Sequence, residues 1–214
     1  MDLMIGAQVP RRGNFFSRGL GRLFLKLMGW RIEGVIPDLP QMVLIGAPHT
    51  SNMDGVIGLA TLMALGLNAG TMIKDSAFKG VMGPILRWFG AIPINRRSSK
   101  GVVEQSVDAF KNKSQLLLLI APEGTRSGAP EWKRGFHYIA SGAGVPVLPA
   151  AADYARKIVT FGPVVIPAGD YDADLRRILE FIGKHGYPRH PERLSKPLCE
   201  VMGRAWQPAP DKKD

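Results

Sequence analysis

The sequence predicts an α/β fold, in which a single domain carries a mostly parallel sheet flanked by helices, with an amphipathic helix at the N-terminus. Short apolar runs alternate along the chain with segments of helical spacing, which is typical of parallel strands covered by helices on both faces. The 214 residues, of which 45% are hydrophobic, suffice for one sizeable core. We find no internal repeat and no linker that would divide the chain into two domains.

The first predicted element is a helix with two chemically different faces. Its apolar residues share one face: Phe16, Leu20, Leu23, Phe24 and Leu27. Its basic residues Arg18, Arg22 and Lys26 recur every fourth position on the opposite side, and no acid lies between positions 11 and 31. Such a helix fits the membrane interface, whereas an amphipathic helix packed on the domain is the alternative. We expect residues 1–40 to form a basic, membrane-contacting segment.

The alternating pattern of the domain covers residues 41–205. Strands are predicted over 42–47, 91–95, 116–121 and 145–150, followed by a hairpin of 157–160 and 163–166 that turns at Phe161 and Gly162. Helices are predicted over 55–66, 76–88, 101–112, 132–142 and 172–184. The apolar segment 55–67 is shorter than the roughly 20 residues that a bilayer span requires, so it predicts a core helix. The polar residues at the end, 206–214, are expected to form a disordered tail.

The charge of the chain predicts an anionic partner. A net charge of +10 and an isoelectric point of about 10.0 favour a membrane surface, nucleic acid or phosphorylated substrates. The sequence has no evident platform of basic and aromatic residues for stacked bases, so we expect an anionic membrane surface and no nucleic acid. The lone Cys199 excludes an internal disulfide and allows a reducing compartment. Because no secretory signal stands out, we expect a peripheral protein on the cytoplasmic face of the membrane.

A histidine and an aspartate follow the first strand of the domain. On one continuous helix His49 and Asp54 would lie about 140° apart, so they can meet only across a turn between strand and helix. Thr50, Ser51 and Asn52 are good caps for such a turn. Asp54 at the helix start can then fix the tautomer of His49 and leave the second ring nitrogen free to take a proton. The pattern predicts two-thirds of a Ser-His-Asp triad, with a substrate hydroxyl in place of the serine.

A second polar cluster follows another predicted strand. Glu123, Gly124 and Arg126 lie at its end, where ligands bind in open α/β sheets. Gly124 permits close approach of backbone to ligand, and the guanidinium fork of Arg126 suits a phosphate. Lys133 and Arg134 add positive charge nearby, or belong to a solvated loop. The cluster predicts a cationic anchor for an anionic substrate.

Four blocks of the chain, in order, resemble the glycerolphosphate and 1-acylglycerol-3-phosphate (lysophospholipid) O-acyltransferase superfamily. They are His49 to Asp54, then Gly90 to Arg96 with Lys74 upstream, then Glu123 to Arg126, and finally Val145 to Pro149. The resemblance runs from about position 43 to position 149, the central half of the chain. Asn95 stands where the family usually has aspartate, which leaves the acceptor headgroup open.

The resemblance implies transfer of a fatty acyl chain from an acyl thioester, acyl-CoA or acyl carrier protein, to the hydroxyl of a lysophospholipid. The acceptor it favours is 1-acylglycerol-3-phosphate, in phospholipid biosynthesis. His49 would be the general base and Asp54 its orienter. It implies an acceptor site made of Lys74, Arg96, Glu123, Gly124, Thr125 and Arg126, with the arginines on the phosphate.

The chemistry of this reaction sets further expectations. The thioester oxygen gathers charge as the hydroxyl attacks, and backbone amides in the turn after His49 are candidate donors to it. No metal or redox cofactor is required, and no ligand spacing supports a zinc site of His49, Asp54 and Glu123. We expect an apolar groove to lead away from His49 and Asp54.

Three other hypotheses stay open at this point. The acceptor could be a different lysolipid, zwitterionic or amino-acid-derived. The same histidine could activate water in a hydrolase, and a rate that depends on the acceptor separates transfer from hydrolysis. The third hypothesis is a nonenzymatic peripheral membrane or nucleic-acid-binding protein, which the charge of +10 favours. That hypothesis does not explain a His-Asp pair and a Glu-Gly-Thr-Arg loop at strand ends.

Overall fold

Helices and strands alternate along the chain in the computed structural model, which describes residues 3–88, 90–95 and 101–208. The helices are α1 (Phe15–Leu27), α2 (Asn52–Leu65), α3 (Met82–Trp88), α4 (Val102–Lys111), α5 (Gly135–Ala143), α6 (Tyr171–His185) and α7 (Lys196–Val201). The strands are β1 (Arg31–Gly34), β2 (Gln41–Ala47), β3 (Ala69–Gly70), β4 (Met72–Lys74), β5 (Ile92–Ile94), β6 (Leu116–Ile120), β7 (Val147–Asp153) and β8 (Ile158–Phe161). Short 3-10 helices cover Asp75–Phe78 and Pro191–Arg193.

The central sheet has six strands in the order β1-β8-β7-β2-β6-β3, and β4 pairs with β5 in a small second sheet. The pairs β1–β8, β7–β2, β2–β6 and β6–β3 are parallel, whereas β7 and β8 run antiparallel. The two longest described strands, β2 and β7, are neighbours at the centre. The predicted α/β class, with a mostly parallel sheet flanked by helices and a helix at the N-terminus, is confirmed.

Successive residues of β2 enter two different cores, because side chains alternate across a sheet. On one face Val43 belongs to a core that includes Phe136 of α5. On the other face Leu44 belongs to a core that includes Ile57 of α2 and Leu25 of α1. Helices therefore cover the sheet on both sides, and the helix after β2 lies on the opposite face from the helix after β6. Such a reversal opens a crevice at the carboxyl ends of the strands.

Residues 3–40 are built into the domain. α1 packs on α2 so closely that a Cβ on Gly21 would lie 2.6 Å from the backbone nitrogen of Ala64. β1 extends the central sheet by pairing with β8, and Trp30 between α1 and β1 is buried. Among the described residues, no helix combines the length and the apolar character that a membrane crossing needs. The last residues of the predicted tail, 209–214, lie outside the described part of the chain.

The structure corrects several predicted elements. The hairpin of 157–160 and 163–166 is wrong: β8 pairs with β7 and β1, and Val165 makes only an isolated bridge to Val147. Pro163, at the start of the predicted second strand, has no N–H to give to a ladder. The helix predicted over 76–88 is divided, because Gly80 adopts a left-handed conformation with φ +61° before α3 begins. The helix predicted over 132–142 begins later, at Gly135.

Candidate functional site

Three loops meet at one edge of the central sheet, because β2, β6 and β7 are parallel neighbours. The loop after β2 carries His49, the loop after β6 carries Glu123, and Tyr154 directly follows β7. The carboxyl ends of parallel strands are the usual place for ligands in open α/β sheets. These three positions define the candidate site.

The turn between β2 and α2 brings His49 and Asp54 together, as the sequence predicts. Ser51 is the N-cap of α2, and Asp54 lies in the first turn, where the positive end of the helix dipole favours a carboxylate. Nδ1 of His49 is 3.5 Å from Oδ2 of Asp54, and 27% of the histidine side chain is exposed against 7% of the aspartate. With Nδ1 turned to the carboxylate, Nε2 is the ring nitrogen that can accept a proton.

Four donors besides His49 fix the carboxylate of Asp54. Its Oδ2 accepts the backbone N–H groups of Thr50 at 2.6 Å and Ser51 at 2.7 Å. Its Oδ1 accepts the hydroxyl of Ser51 at 2.8 Å and the phenol of Tyr154 at 2.6 Å. Burial acts to raise the pKa of Asp54, but the hydrogen bonds from His49, Tyr154 and Ser51 outweigh it and lower the pKa to about 2. The carboxylate is therefore ionised at physiological pH.

The same hydrogen bonds narrow the set of backbone amides in this turn that can meet a thioester oxygen. The N–H groups of Thr50 and Ser51 donate to Asp54, and the N–H of His49 donates to Oε1 of Glu123 at 3.0 Å. Each backbone amide has one hydrogen to give. These three amides anchor the two carboxyl groups, so they are not available to a thioester oxygen.

Glu123 is the most deeply buried titratable group of the site, with 1% of its surface exposed. Burial raises the pKa of its carboxyl to about 8; the hydrogen bond from the His49 N–H lowers it, and the charge of Asp54 raises it further. Among the described residues, its Oε2 has no hydrogen-bond partner. At neutral pH the carboxyl is therefore mostly protonated. Although His49, Asp54 and Glu123 are close, no cluster of three such side chains in the described residues is placed to hold a metal ion.

The loop after Glu123 reaches across to the start of α2. Gly124 has φ +65°, a conformation that side chains rarely adopt, and Lys133 lies beside it. Thr125 and Arg126 are exposed, and Nη1 of Arg126 donates to Oδ1 of Asn52, the first residue of α2. This contact places the Arg126 guanidinium at the same end of α2 as His49 and Asp54.

An apolar cavity of about 340 Å³ leads from His49 and Asp54 between α2 and the sheet. It exists because the sheet has small side chains where it passes under α2, and α2 has glycines where it passes over the sheet. Small residues that line it are Gly46, Gly55, Gly58, Ala121, Ala150 and Ala152. Its size and apolar lining with few polar groups are typical of a small-molecule site. The structure therefore has the apolar groove that the sequence predicts.

The remaining two residues of the predicted acceptor site are Lys74 and Arg96. Lys74 ends β4 with an exposed side chain, and it does not line the cavity, although its neighbour Ile73 does. Arg96 lies outside the described residues. The structure thus brings together His49, Asp54, Glu123 and the loop Gly124–Arg126.

Tyr154 is the site residue that sequence reasoning missed. It donates its phenol to Asp54 at 2.6 Å, and its ring meets the Trp30 ring edge-on at a centroid distance of 4.9 Å. Its own pKa is raised, first by burial and then by the hydrogen bond to Asp54, so the phenol keeps its proton. The correct end of β7 would have revealed this residue. The strand continues to Asp153, beyond the predicted end at position 150, and Tyr154 therefore lies where the strand ends.

Comparison with known proteins points to one family. The sequence profile of a family described as "Acyltransferase" matches residues 31–153, more than half of the chain. Among solved structures, the fold is similar to the crystal structure of the 1-acyl-sn-glycerophosphate (LPA) acyltransferase, PlsC, from Thermotoga maritima. That match has a TM-score of 0.54 and 18% sequence identity, over 79% of this chain and 76% of that chain. No curated protein matches the sequence.

Proposed function

The chain belongs to the acyltransferase family, and we propose that it transfers a fatty acyl group from an acyl thioester to the hydroxyl of a lysophospholipid, 1-acylglycerol-3-phosphate. The observation that carries this proposal is the His49–Asp54 pair at the mouth of an apolar cavity. A general base beside a space for an acyl chain is what O-acyl transfer requires, because a hydroxyl attacks well only as it loses its proton.

In the proposed reaction Nε2 of His49 takes the proton of the acceptor hydroxyl while the oxygen attacks the thioester carbonyl carbon. The C–S bond then breaks, an ester remains, and the thiolate takes the proton back from His49. Asp54 holds Nδ1–H of His49 and stabilises the imidazolium that forms between these steps. Its ionised state, held by the four other donors, supports that role.

Glu123 and Arg126 would act on the acceptor side. The exposed guanidinium of Arg126, at the N-terminal end of α2, suits the phosphate of the acceptor. Glu123, neutral at pH 7, anchors the backbone of His49 without adding a second negative charge beside Asp54. We propose that Gly124, Thr125, Lys74 and Arg96 complete the acceptor site. The co-substrate would be acyl-CoA or an acylated carrier protein, with no further cofactor.

The outer face of α1 supports a peripheral membrane location. Phe16 is 81% exposed and Leu27 is 77% exposed, and Leu20 and Leu23 between them are also exposed. An apolar face of this kind, beside basic residues, is suited to the headgroup boundary of an anionic bilayer. We propose that α1 rests on the cytoplasmic surface of the membrane and brings the cavity to its lipid substrate.

The proposal is tested by incubating the full-length protein with labelled acyl-CoA, or labelled acyl carrier protein, and a panel of lysolipids that differ only in headgroup. We expect a labelled diacyl product with 1-acylglycerol-3-phosphate and less product with lysophosphatidylcholine or a lyso-ornithine lipid. Because Asn95 stands where the family usually has aspartate, another lysolipid is the second candidate acceptor. A preference for either other headgroup would contradict the proposed acceptor, and release of free fatty acid without an acceptor would indicate a hydrolase.

A further inference from the structure

A second cavity, of about 530 Å³, lies between α1, the start of β1 and the end of α2. Among the described residues, none lines both this cavity and the one that contains His49. β8 and β7 separate β1, which lines the second cavity, from β2, which lines the first. The second cavity is therefore distinct from the candidate active site.

The charged lining of this cavity is entirely basic: Arg11, Arg18, Arg22, Lys26 and Arg31. Arg22 donates to the carbonyl of Ala64 at 3.3 Å and so caps α2, and Arg31 is 4.0 Å from the exposed Glu33. Nε of Arg18 is buried and, within the described part of the chain, has no acceptor. Like charges gathered around one cavity repel one another unless an anion lies between them. The cluster therefore points to an anionic ligand.

The other wall of the cavity is apolar. It is formed by side chains of the N-terminal segment, of α1 and of β1, among them Leu3, Ile5, Leu25, Trp30 and Ile32. A small inorganic anion gains nothing from such a wall, because burying a charge against apolar groups is unfavourable. A ligand with a phosphate at one end and hydrocarbon at the other matches both walls.

The position of the cavity identifies the source of such a ligand. At 100° per residue, the basic row of Arg18, Arg22 and Lys26 lies about 130° around α1 from the exposed apolar face centred on Leu20 and Leu23. A helix that rests its apolar face on a bilayer would thus direct this row away from the hydrocarbon, on the side of the helix axis where long Arg and Lys side chains still reach the headgroup layer.

We propose that this cavity binds the phosphate headgroup of one anionic phospholipid of the membrane, separately from the acyl acceptor. The phosphate lies between Arg18 and Arg22, and the glycerol with the first carbons of its chains lies against Leu3 and Trp30. The bound lipid neutralises the basic cluster and fixes the orientation of the domain on the bilayer. The inference rests on the proposed membrane contact of α1 and is independent of the proposed chemistry.

Calorimetric titration of the full-length protein with dihexanoyl phosphatidylglycerol, below its micelle concentration, tests the site without a membrane surface. We expect one lipid bound per chain, with dihexanoyl phosphatidylcholine and inorganic phosphate each binding about tenfold more weakly or worse. The paired change Arg18→Gln and Arg22→Gln should weaken binding by about the same factor or more. The matched pair Arg176→Gln and Arg177→Gln, exposed on α6 at the opposite face of the sheet, should bind as the wild type does.

A second variant guards against a loss of folding, because Arg22 also caps α2. Lys26→Gln with Arg31→Gln changes two exposed side chains and should also weaken binding of the anionic lipid. Equal binding of the phosphatidylcholine, equal binding of inorganic phosphate, or unchanged binding by both cavity variants would each overturn the proposal. No acyl donor is present in the titration. A failure of acyl transfer and a failure of this site are therefore seen in separate experiments.

Discussion

Replacing Glu123 with glutamine should change how the stability of the protein depends on pH. The pKa of this carboxyl is raised from 4.5 to about 8 by burial, which outweighs the hydrogen bond from His49 and is reinforced by the charge of Asp54. In the unfolded chain the carboxyl titrates near its ordinary value. Between these two pH values the folded state keeps a proton that the unfolded state has lost, so stability falls as the pH rises.

The size of this effect follows from linkage. Each pH unit between 5.5 and 7.5 lowers the free energy of unfolding of the wild type by about 1.2 kcal/mol, or about 2.5 kcal/mol over the range. Glutamine does not titrate, so Glu123→Gln should gain that amount relative to the wild type between pH 5.5 and 7.5. The amide keeps an oxygen for the His49 N–H, and its unpaired NH₂ group lowers stability equally at every pH. The test is therefore how steeply the free energy of unfolding changes with pH, and not the difference between the two proteins at any one pH.

Urea unfolding at pH 5.5, 6.5 and 7.5 measures the slope for the wild type and the variant. Glu180→Gln, an exposed position on α6, is the matched control and should follow the wild type at all three pH values. If Glu123→Gln also runs parallel to the wild type, the carboxyl titrates as an ordinary exposed glutamate, and the reasoning about the buried site is refuted.

Three further outcomes follow from the contacts of the site and the core. Tyr154→Phe removes the 2.6 Å hydrogen bond to Asp54, so kcat should fall about tenfold with an unchanged KM for the acceptor. Tyr138→Phe, at an exposed position, is the control and should change neither constant. A change in KM alone would argue against a positioning role for Tyr154. Arg126→Gln should raise the KM for a phosphate-bearing acceptor about tenfold in steady-state kinetics, and an unchanged KM would remove Arg126 from the acceptor site. Asp174→Ala breaks a buried 2.9 Å contact with His137, remote from the site. The free energy of unfolding should fall by about 3 kcal/mol, and Tm in calorimetry by about 10 °C. A Tm within 2 °C of the wild type would contradict a stabilising role for this contact.

The sequence predicted the elements with strong patterns and missed those that depend on distant partners. The apolar runs of β2 and β6 and the helices α2, α4 and α6 were predicted within a few residues of their observed bounds. β3 and β4 have two and three residues, too few for a period to show. β1 is a strand because β8 pairs with it, and this long-range pairing has no local signature.

The same distinction holds within the candidate site. His49, Asp54 and the loop after β6 were found because each follows an apolar strand. Tyr154 was missed because β7 was predicted to end at position 150, whereas it ends at Asp153. The occupied amides after His49 also escaped prediction, because which donor meets which oxygen depends on the folded turn.

The central claim is that His49 is the base for acyl transfer, and the most direct measurement is the rate of labelled phospholipid formation from acyl-CoA and 1-acylglycerol-3-phosphate. His49→Ala is compared with the wild type, and His185→Ala on α6 is the matched control. Loss of a general base predicts a fall of about 100-fold or more in kcat for His49→Ala alone, with both variants folded as judged by thermal unfolding. Transfer by folded His49→Ala at a rate near that of the wild type would contradict the mechanism.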